Sequence, residues 1–171
     1  MNRRRSLRGF SLIEALIAAL ILAVAVVAMF SSWSTTFKQS KVITELTSAE
    51  EIDRAVLETA KVYGPLNLPT GTYNSSTQLG TWTGAYLPTT GWTSGGTGYY
   101  SFGGAQVASS SATGAYFSVS VTITDSGVQV GSGTSYTIQN STLRTIVVTP
   151  TRMSDGTTIL QMATNIIAGG M

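Results

Sequence analysis

The sequence predicts an α+β protein in which a long N-terminal α-helix packs on a C-terminal antiparallel β-sheet. Neither proline nor glycine occurs between residues 10 and 63, so nothing in this stretch interrupts a helix. Residues 64–171 are rich in Gly, Ser and Thr, and several of their segments alternate apolar with polar residues. The second half of the helix also carries an apolar face, which needs a sheet or another helix to cover it.

Residues 10–30 form the first half of this helix and are predicted to cross a membrane. Ser11 and Glu14 are the only polar residues in the run. Its 21 residues would extend for about 31 Å, which matches a hydrocarbon core of about 30 Å. The arginines of residues 1–9, with no acid among them, place the N-terminus on the cytoplasmic side. An ordinary secretory signal peptide is the alternative interpretation, which the carboxylate of Glu14 disfavours.

Residues 31–63 are predicted to continue the helix as an amphipathic segment. Apolar residues recur at steps of three and four, at Val42, Leu46, Ala49, Ile52, Val56, Ala60 and Tyr63. Charged residues largely take the other faces, at Lys41, Glu45, Glu50, Glu51, Arg54, Glu58 and Lys61. This pattern favours a helix face buried in a core over a free-standing coiled coil. Gly64 and Pro65 then predict the end of the helix.

Residues 64–171 are predicted to form a β-rich head. Residues 64–115 read as loop with short strands, because turn residues recur every few positions. A half-buried strand is predicted at 116–124, where Phe117, Val119, Val121 and Ile123 alternate with polar residues. Turns at 125–127 and 154–156 separate further strands at 128–130, 135–139, 143–149 and 158–167. Residues 128–130 would continue a hairpin with the first strand, and the whole would be an antiparallel meander with one apolar face.

The composition excludes most familiar active-site chemistry. The chain has no cysteine and no histidine, so it lacks thiolate nucleophiles, imidazole bases and the usual zinc ligands. Asp125 and Asp155 are the only acids of the head, and both lie in predicted turns. Arg144 and Arg152 are its only cations, too few for a phosphate track. We therefore expect no catalytic residue, no metal site and no cofactor, and there is no strong case for a nucleic-acid partner.

The aromatic residues between 73 and 102 permit two interpretations. They are Tyr73, Trp82, Tyr86, Trp92, Tyr99, Tyr100 and Phe102. Rings on a loop could form a stacking surface for a sugar, as in an adhesin or glycan-binding module. Packing into the core is the simpler explanation, and we favour it.

The junction between the basic segment and the apolar run carries a specific motif. It reads Arg8-Gly9-Phe10-Ser11-Leu12-Ile13-Glu14, followed by Ala15-Leu16-Ile17-Ala18-Ala19-Leu20. This motif resembles the class III signal of type IV prepilins and type II secretion pseudopilins. The resemblance is close over about 25 residues, and the predicted architecture of the whole chain is also pilin-like. It implies that residues 1–9 are a leader removed by prepilin peptidase, which cuts between Gly9 and Phe10 and methylates Phe10. Loss of four arginines would change the net charge from +2 to −2.

The same resemblance implies a role for Glu14 in assembly. In the family, the equivalent carboxylate pairs with the freed N-terminal amine of a neighbouring subunit, here that of Phe10, and sets the register of the filament. A charge inside a bilayer is costly, and no lysine or arginine lies within residues 10–30 to pair with it. Hydration of Glu14 near the cytoplasmic headgroups is the alternative.

The resemblance implies a structural subunit of a type IV pilus-like filament. The chain has neither a glycine nor a proline inside the helix and no cysteine, which favours a minor pilin that primes or caps assembly over a major pilin. The filament would serve motility, adhesion or DNA uptake. A pseudopilin of a type II secretion system is the alternative. Expected partners are other pilin or pseudopilin subunits, the peptidase, the inner-membrane assembly platform and the lipid bilayer. The chain would sit in the bacterial inner membrane before entering a surface filament.

We predict that the membrane-extracted protein starts at Phe10 and carries a methyl group on that residue. Intact-mass measurement and N-terminal sequencing test this in cells with an active prepilin peptidase. A start at any other residue in such cells would contradict the assignment of the leader.

Overall fold

The structure is a computed structural model that describes residues 11–74, 79–125, 128–132, 135–139 and 143–167. The chain divides into two compact units, Met1–Ile43 and Thr44–Met171. In the first unit, the described residues form only helix, whereas the second contains the end of that helix and every described strand. The predicted α+β class is confirmed, with one long N-terminal helix and a C-terminal antiparallel sheet.

Helix α1 comprises Leu12–Tyr63. Its first turn closes on Ser11, whose carbonyl accepts hydrogen bonds from the backbone N–H groups of Glu14 and Ala15 at 3.0 and 3.1 Å. The predicted end at residue 63 is confirmed: Gly64 takes a left-handed backbone angle, φ 70°, and donates its N–H to the Ala60 carbonyl. A 3₁₀ turn, Pro65–Asn67, follows. The predicted first helical residue, Phe10, lies outside the described residues.

The described residues form ten strands, all of them paired antiparallel. They are β1 (Thr72–Asn74), β2 (Leu79–Leu87), β3 (Gly91–Ser94), β4 (Gly98–Ser101), β5 (Gln106–Val107), β6 (Ala115–Asp125), β7 (Val128–Ser132), β8 (Ser135–Gln139), β9 (Leu143–Arg152) and β10 (Met162–Ile167). Strands β7 and β8 pair only with each other, and the other eight form one sheet.

Strand β6 is the centre of the main sheet. One of its edges pairs with β9 from Phe117↔Arg152 to Asp125↔Arg144. Its other edge pairs with β4 along the first half and with β2 along the second half. Strands β1 and β3 flank β2, β5 flanks β4, and β10 flanks β9.

The predicted meander is therefore wrong. Residues 128–130 do not pair with β6, because both edges of β6 are already occupied by β9 and by β2 and β4. They form a separate ribbon with residues 135–139, where a strand had been predicted. Strand β6 also pairs with strands on either side of it in sequence, a long-range arrangement that local turn signals do not report.

The largest differences from the predicted strand boundaries are at three places. The segment 64–115 contains a nine-residue strand, β2, rather than short strands alone. Strand β9 continues to Arg152 because β6 remains available as a partner along its whole length. Strand β10 starts at Met162, and Thr158 contributes only an isolated bridge to Thr151. Position 84 of β2 requires glycine, because the Cβ of any other residue would collide with the Thr93 carbonyl and the Trp82 ring.

The core lies between the head portion of α1 and one face of the main sheet. The predicted alternation is confirmed in β6, whose buried residues Phe117, Val119, Val121 and Ile123 face the same side. From β9, Ile146 and Val148 continue the same apolar surface. The helix contributes Ala49, Ile52, Val56, Leu57 and Ala60. Burial of a side chain such as Ile52 stabilises the fold by about 1.5–3 kcal/mol.

The predicted helix stripe is only partly correct. Its middle, from Ala49 to Ala60, is buried as expected. Val42, Leu46 and Tyr63 are instead 51%, 40% and 40% exposed. The sequence places Glu45 outside the apolar stripe, among the charged residues. Its side chain is nevertheless buried, with 3% exposed, and Arg152 of the sheet binds it.

Asp53 is a buried acid that the sequence pattern did not single out. It lies on the sheet-facing side of α1, flanked in the helical repeat by the small residues Ala49 and Ala60, and is 0% exposed. Neither carboxylate oxygen has a hydrogen-bond partner among the described residues. Burial raises the pKa of Asp53 from its ordinary value of 3.8 to about 8. The carboxyl therefore carries a proton at neutral pH.

The raised pKa predicts that the head loses stability as pH rises between about 4 and about 8. The folded state holds its Asp53 proton to higher pH than the unfolded state, so rising pH favours unfolding over this window. We predict that Asp53→Asn reduces this pH slope and makes the head more stable than wild type at pH 9. Denaturant unfolding at pH 5, 7 and 9, followed by tryptophan fluorescence, measures the difference.

The matched control is Glu51→Gln, which neutralises an exposed carboxylate two residues earlier on the same helix. It should leave the slope unchanged. An unchanged slope in Asp53→Asn would contradict the assignment of a buried, protonated carboxyl.

Candidate assembly site

The start of α1 contains the residue predicted to act in assembly. Glu14 lies in the first helical turn, where a negative charge interacts favourably with the helix dipole. Its side chain is exposed in the isolated chain. Gly9 and Phe10, the predicted cleavage pair and the predicted partner of Glu14, lie outside the described residues. The cleavage and the pairing with a neighbouring amine therefore remain predictions.

The helix around Glu14 presents apolar side chains on all of its faces. Between residues 12 and 30, the large hydrophobic side chains are 43–80% exposed. None of the most apolar 18-residue window of α1 is buried within the chain, and its mean hydropathy is 2.8. By length and composition, this helix can cross a membrane. Such a surface requires either lipid or other proteins to cover it.

In the head, a charged cluster anchors the helix to the sheet. Arg152, at the end of β9, binds Glu45 of α1 with two hydrogen bonds, from Nε to Oε1 at 2.5 Å and from Nη2 to Oε2 at 2.7 Å. The Tyr116 hydroxyl also donates to Oε1, at 2.9 Å. Because Glu45 is buried, these three donors replace the water it lost on folding.

The same arginine also orders the turn that follows it. Its Nη1 donates to Asp155 at 2.7 Å, and Asp155 accepts the backbone N–H of Thr157 at 3.0 Å. The bond from Thr157 is the main cause that lowers the pKa of Asp155. Bonds to Glu45 and Asp155 raise the pKa of Arg152. The prediction that Asp155 serves turn geometry agrees with these contacts.

Asp125 has a role that the sequence did not predict. It is the last residue of β6 and is 1% exposed, and residues 126 and 127 of the predicted turn lie outside the described residues. Arg144 of β9 lies opposite it in the register, with Nη2 3.3 Å from the carboxylate. Arg144 also donates to the carbonyls of Leu68 and Pro69, in the segment after α1. Asp125 is thus a structural ion-pair partner, and its part in the turn stays a prediction.

The two head acids do not form a carboxylate pair. Asp125 ends β6, whereas Asp155 follows Arg152, which lies opposite Phe117 at the other end of the same strand pair. At about 3.4 Å per residue, the eight residues from 117 to 125 extend for about 27 Å. A glycosidase-type carboxylate pair needs a separation below about 10 Å. The geometry therefore does not support paired-carboxylate catalysis by Asp125 and Asp155.

The aromatic segment packs into the head, as the favoured interpretation predicted. Trp82 and Tyr100 are 7% and 5% exposed, and Tyr86 and Trp92 pack against the same core. Trp92 contacts both Tyr86 and Trp82 at ring-centroid distances of 5.0 and 6.0 Å. Tyr100 donates its hydroxyl to the Tyr86 carbonyl. Most of these rings pack inside the head, which weakens the case for a glycan-stacking surface.

Sequence reasoning missed the buried charges of this head. Glu45, Asp53, Asp125 and Arg144 are all buried, although charged residues are expected at the surface. The sequence does hold a signal for the Asp125–Arg144 pair. Residues 64–171 contain only two arginines and two acids, so each acid was a candidate partner for an arginine. No periodicity could assign the partners, because Asp125 and Arg144 are opposed through strand pairing rather than through local spacing.

Comparison with known proteins supports the assignment of the N-terminal segment. Residues 4–30 match the family model of the prokaryotic N-terminal methylation motif. The match covers three of the leader arginines, Arg4, Arg5 and Arg8, the Gly9–Phe10 junction, Glu14 and the apolar run. It supports a class III signal peptide and a subunit of the type IV pilin or pseudopilin type. No curated protein and no solved structure matches the chain.

We predict that Arg144→Met destabilises the head by about 3–5 kcal/mol, because it leaves the buried Asp125 carboxylate without its counter-charge. Denaturant unfolding measures the loss. Arg54→Met is the matched control: Arg54 pairs with Glu50 on the exposed surface of α1, and its loss should cost at most about 1 kcal/mol. Equal effects of the two substitutions would contradict a structural role for the buried pair.

Proposed function

We propose that this protein is a structural subunit of a type IV pilus-like filament, most specifically a minor pilin that primes or caps assembly. The observation that carries the proposal is the methylation motif at residues 4–30 in front of an uncovered apolar helix. A helix with no internal cover needs neighbours of the same kind once it leaves lipid. The compact head then supplies the part that remains in water.

The proposal assigns each part of the chain a step. Prepilin peptidase cuts between Gly9 and Phe10 on the cytoplasmic side and methylates Phe10. The chain waits in the inner membrane with its head outside, bound to the assembly platform. Glu14 then pairs with the N-terminal amine of a neighbouring subunit and sets the register as the helix enters the filament. Pairing gives the Glu14 carboxylate a counter-charge when it passes from the membrane boundary into the apolar interior of the filament.

We also propose that the head is not catalytic. Its acids are used for the Asp125–Arg144 pair and for the turn at Asp155, and its other buried acids lie on the helix. A head of this kind contributes shape and surface to a filament rather than chemistry.

A pseudopilin of a type II secretion system is the second candidate. The unbroken helix and the absence of cysteine favour it as much as they favour a minor pilin. Deleting the retraction ATPase or the secretion channel in turn distinguishes the two. The chain should accumulate in surface filaments without the ATPase if it belongs to a pilus, and a channel deletion should phenocopy its loss if it belongs to a secretion system.

We predict that Glu14→Ala leaves cleavage at Gly9 intact and lowers the amount of this chain in sheared filaments by about tenfold or more, as expected for loss of one partner of a buried pair. Intact mass reports the cleavage, and quantitative immunoblotting of the sheared fraction reports the incorporation.

The matched control is Glu58→Ala, which removes an exposed acid from the same helix. It should alter neither readout. Normal incorporation of Glu14→Ala would contradict the assembly role of Glu14.

A further inference from the structure

The segment of α1 that follows the apolar run has the composition of a membrane interface. Trp33 and Phe37 lie one turn apart, with ring centroids 6.4 Å apart, and are 55% and 70% exposed. Lys38 and Lys41 follow, and neither has an ion-pair partner among the described residues. Tryptophan is enriched at headgroup level, and lysine is attracted to anionic headgroups. Both features occur on a stretch of helix that is exposed throughout in the described part of the first unit.

The length of the helix places these residues at the outer boundary of a bilayer. From Leu12 to Phe30, 18 residue steps extend for about 27 Å, close to the hydrocarbon thickness of about 30 Å. One headgroup layer adds about 5–8 Å on the outer side and so ends about 35–38 Å from Leu12, whereas Lys38 and Lys41 lie 26 and 29 steps, or about 39 and 44 Å, from Leu12. The aromatic pair therefore falls between the hydrocarbon edge and the headgroups, and the lysines lie just outside the headgroups, within a Debye length of the phosphates.

We propose that Trp33, Phe37, Lys38 and Lys41 form an interface anchor that binds anionic phospholipid headgroups of the outer leaflet before the subunit is assembled. The inference rests on the membrane-spanning helix of the proposed function and adds a lipid class and a contact surface to it. The anchor fixes the depth of the helix, so that Glu14 stays near the opposite boundary. Its two charges lie outside and the four arginines of residues 1–9 lie inside, so the orientation rule is still obeyed.

The three lysines of the chain provide an internal test. They are Lys38, Lys41 and Lys61, of which Lys61 is exposed on the head portion of the helix. The full chain is reconstituted at high lipid-to-protein ratio into phosphatidylcholine vesicles with or without phosphatidylglycerol. A membrane-impermeant amine reagent is added, and mass spectrometry gives the labelling rate of each lysine. Because all three lie on the same side of the membrane, their ratios do not depend on insertion direction.

We expect phosphatidylglycerol to slow the labelling of Lys38 and Lys41 about fivefold relative to Lys61. An anionic surface attracts each nearby lysine by about 1 kcal/mol, which corresponds to about a fivefold change in an equilibrium constant. High salt should remove most of the effect. Trp33→Ser with Phe37→Ser should return the ratio towards its value in neutral vesicles. Val62→Ser, which removes an 86% exposed apolar side chain, is the matched control and should leave the ratio unchanged.

Three outcomes would overturn the anchor. The first is equal relative labelling in both kinds of vesicle. The second is protection that grows with protein-to-lipid ratio but not with lipid charge, which would assign the surface to a second copy of the chain. The third is full protection in the aromatic double variant. A chain that does not float with vesicles in a density gradient would also defeat the membrane-spanning part of the proposed function, whereas a floating chain with equal labelling defeats the anchor alone.

Discussion

The fold of the head depends on the burial of one face of α1 against β6 and β9. Ala49 and Ala60 bring the helix backbone close to the sheet, and Ile52 and Val56 fill the space beside them. Strand β6 lies at the centre of the sheet because strands that precede it and strands that follow it in sequence pair along its edges. The segment of α1 from Ala49 to Ala60 is therefore part of the core of the head.

Charges complete the packing where apolar residues end. Arg152 and Arg144 lie at opposite ends of the β6–β9 pair, and both point to the covered side. One binds the helix at Glu45, and the other binds Asp125 and the segment after the helix. Each pair costs desolvation that offsets much of its attraction, so its net contribution to stability is smaller than its short contacts suggest. Asp53 is the exception, an acid that is buried without a counter-charge and remains protonated instead.

The sequence was sufficient for the helix, its end at Tyr63, the alternation of β6 and the fold class. These features depend on local spacing and on Gly64. It was insufficient for the partners of β7, for the pairing of Asp125 with Arg144 and for the burial of Glu45. Each of these depends on residues far apart in the chain, between 19 and 107 positions for the two ion pairs. Local patterns do not indicate which distant residue will lie opposite a given one. A charged residue on an amphipathic helix, such as Glu45, is predicted to be exposed unless its partner is known.

The two parts of the chain present opposite problems of solvation. The head buries its apolar side chains internally, whereas the described part of the first unit leaves its apolar helix uncovered. In a filament subunit, lipid would cover this apolar helix before assembly, and the helices of neighbouring subunits would cover it afterwards. Photo-crosslinking from Ile17 in living cells tests this most directly, because its side chain is 55% exposed. We expect covalent adducts with the N-terminal helix of another filament subunit in the sheared fraction. Adducts with lipid alone, and none with protein, would contradict a role in filament assembly.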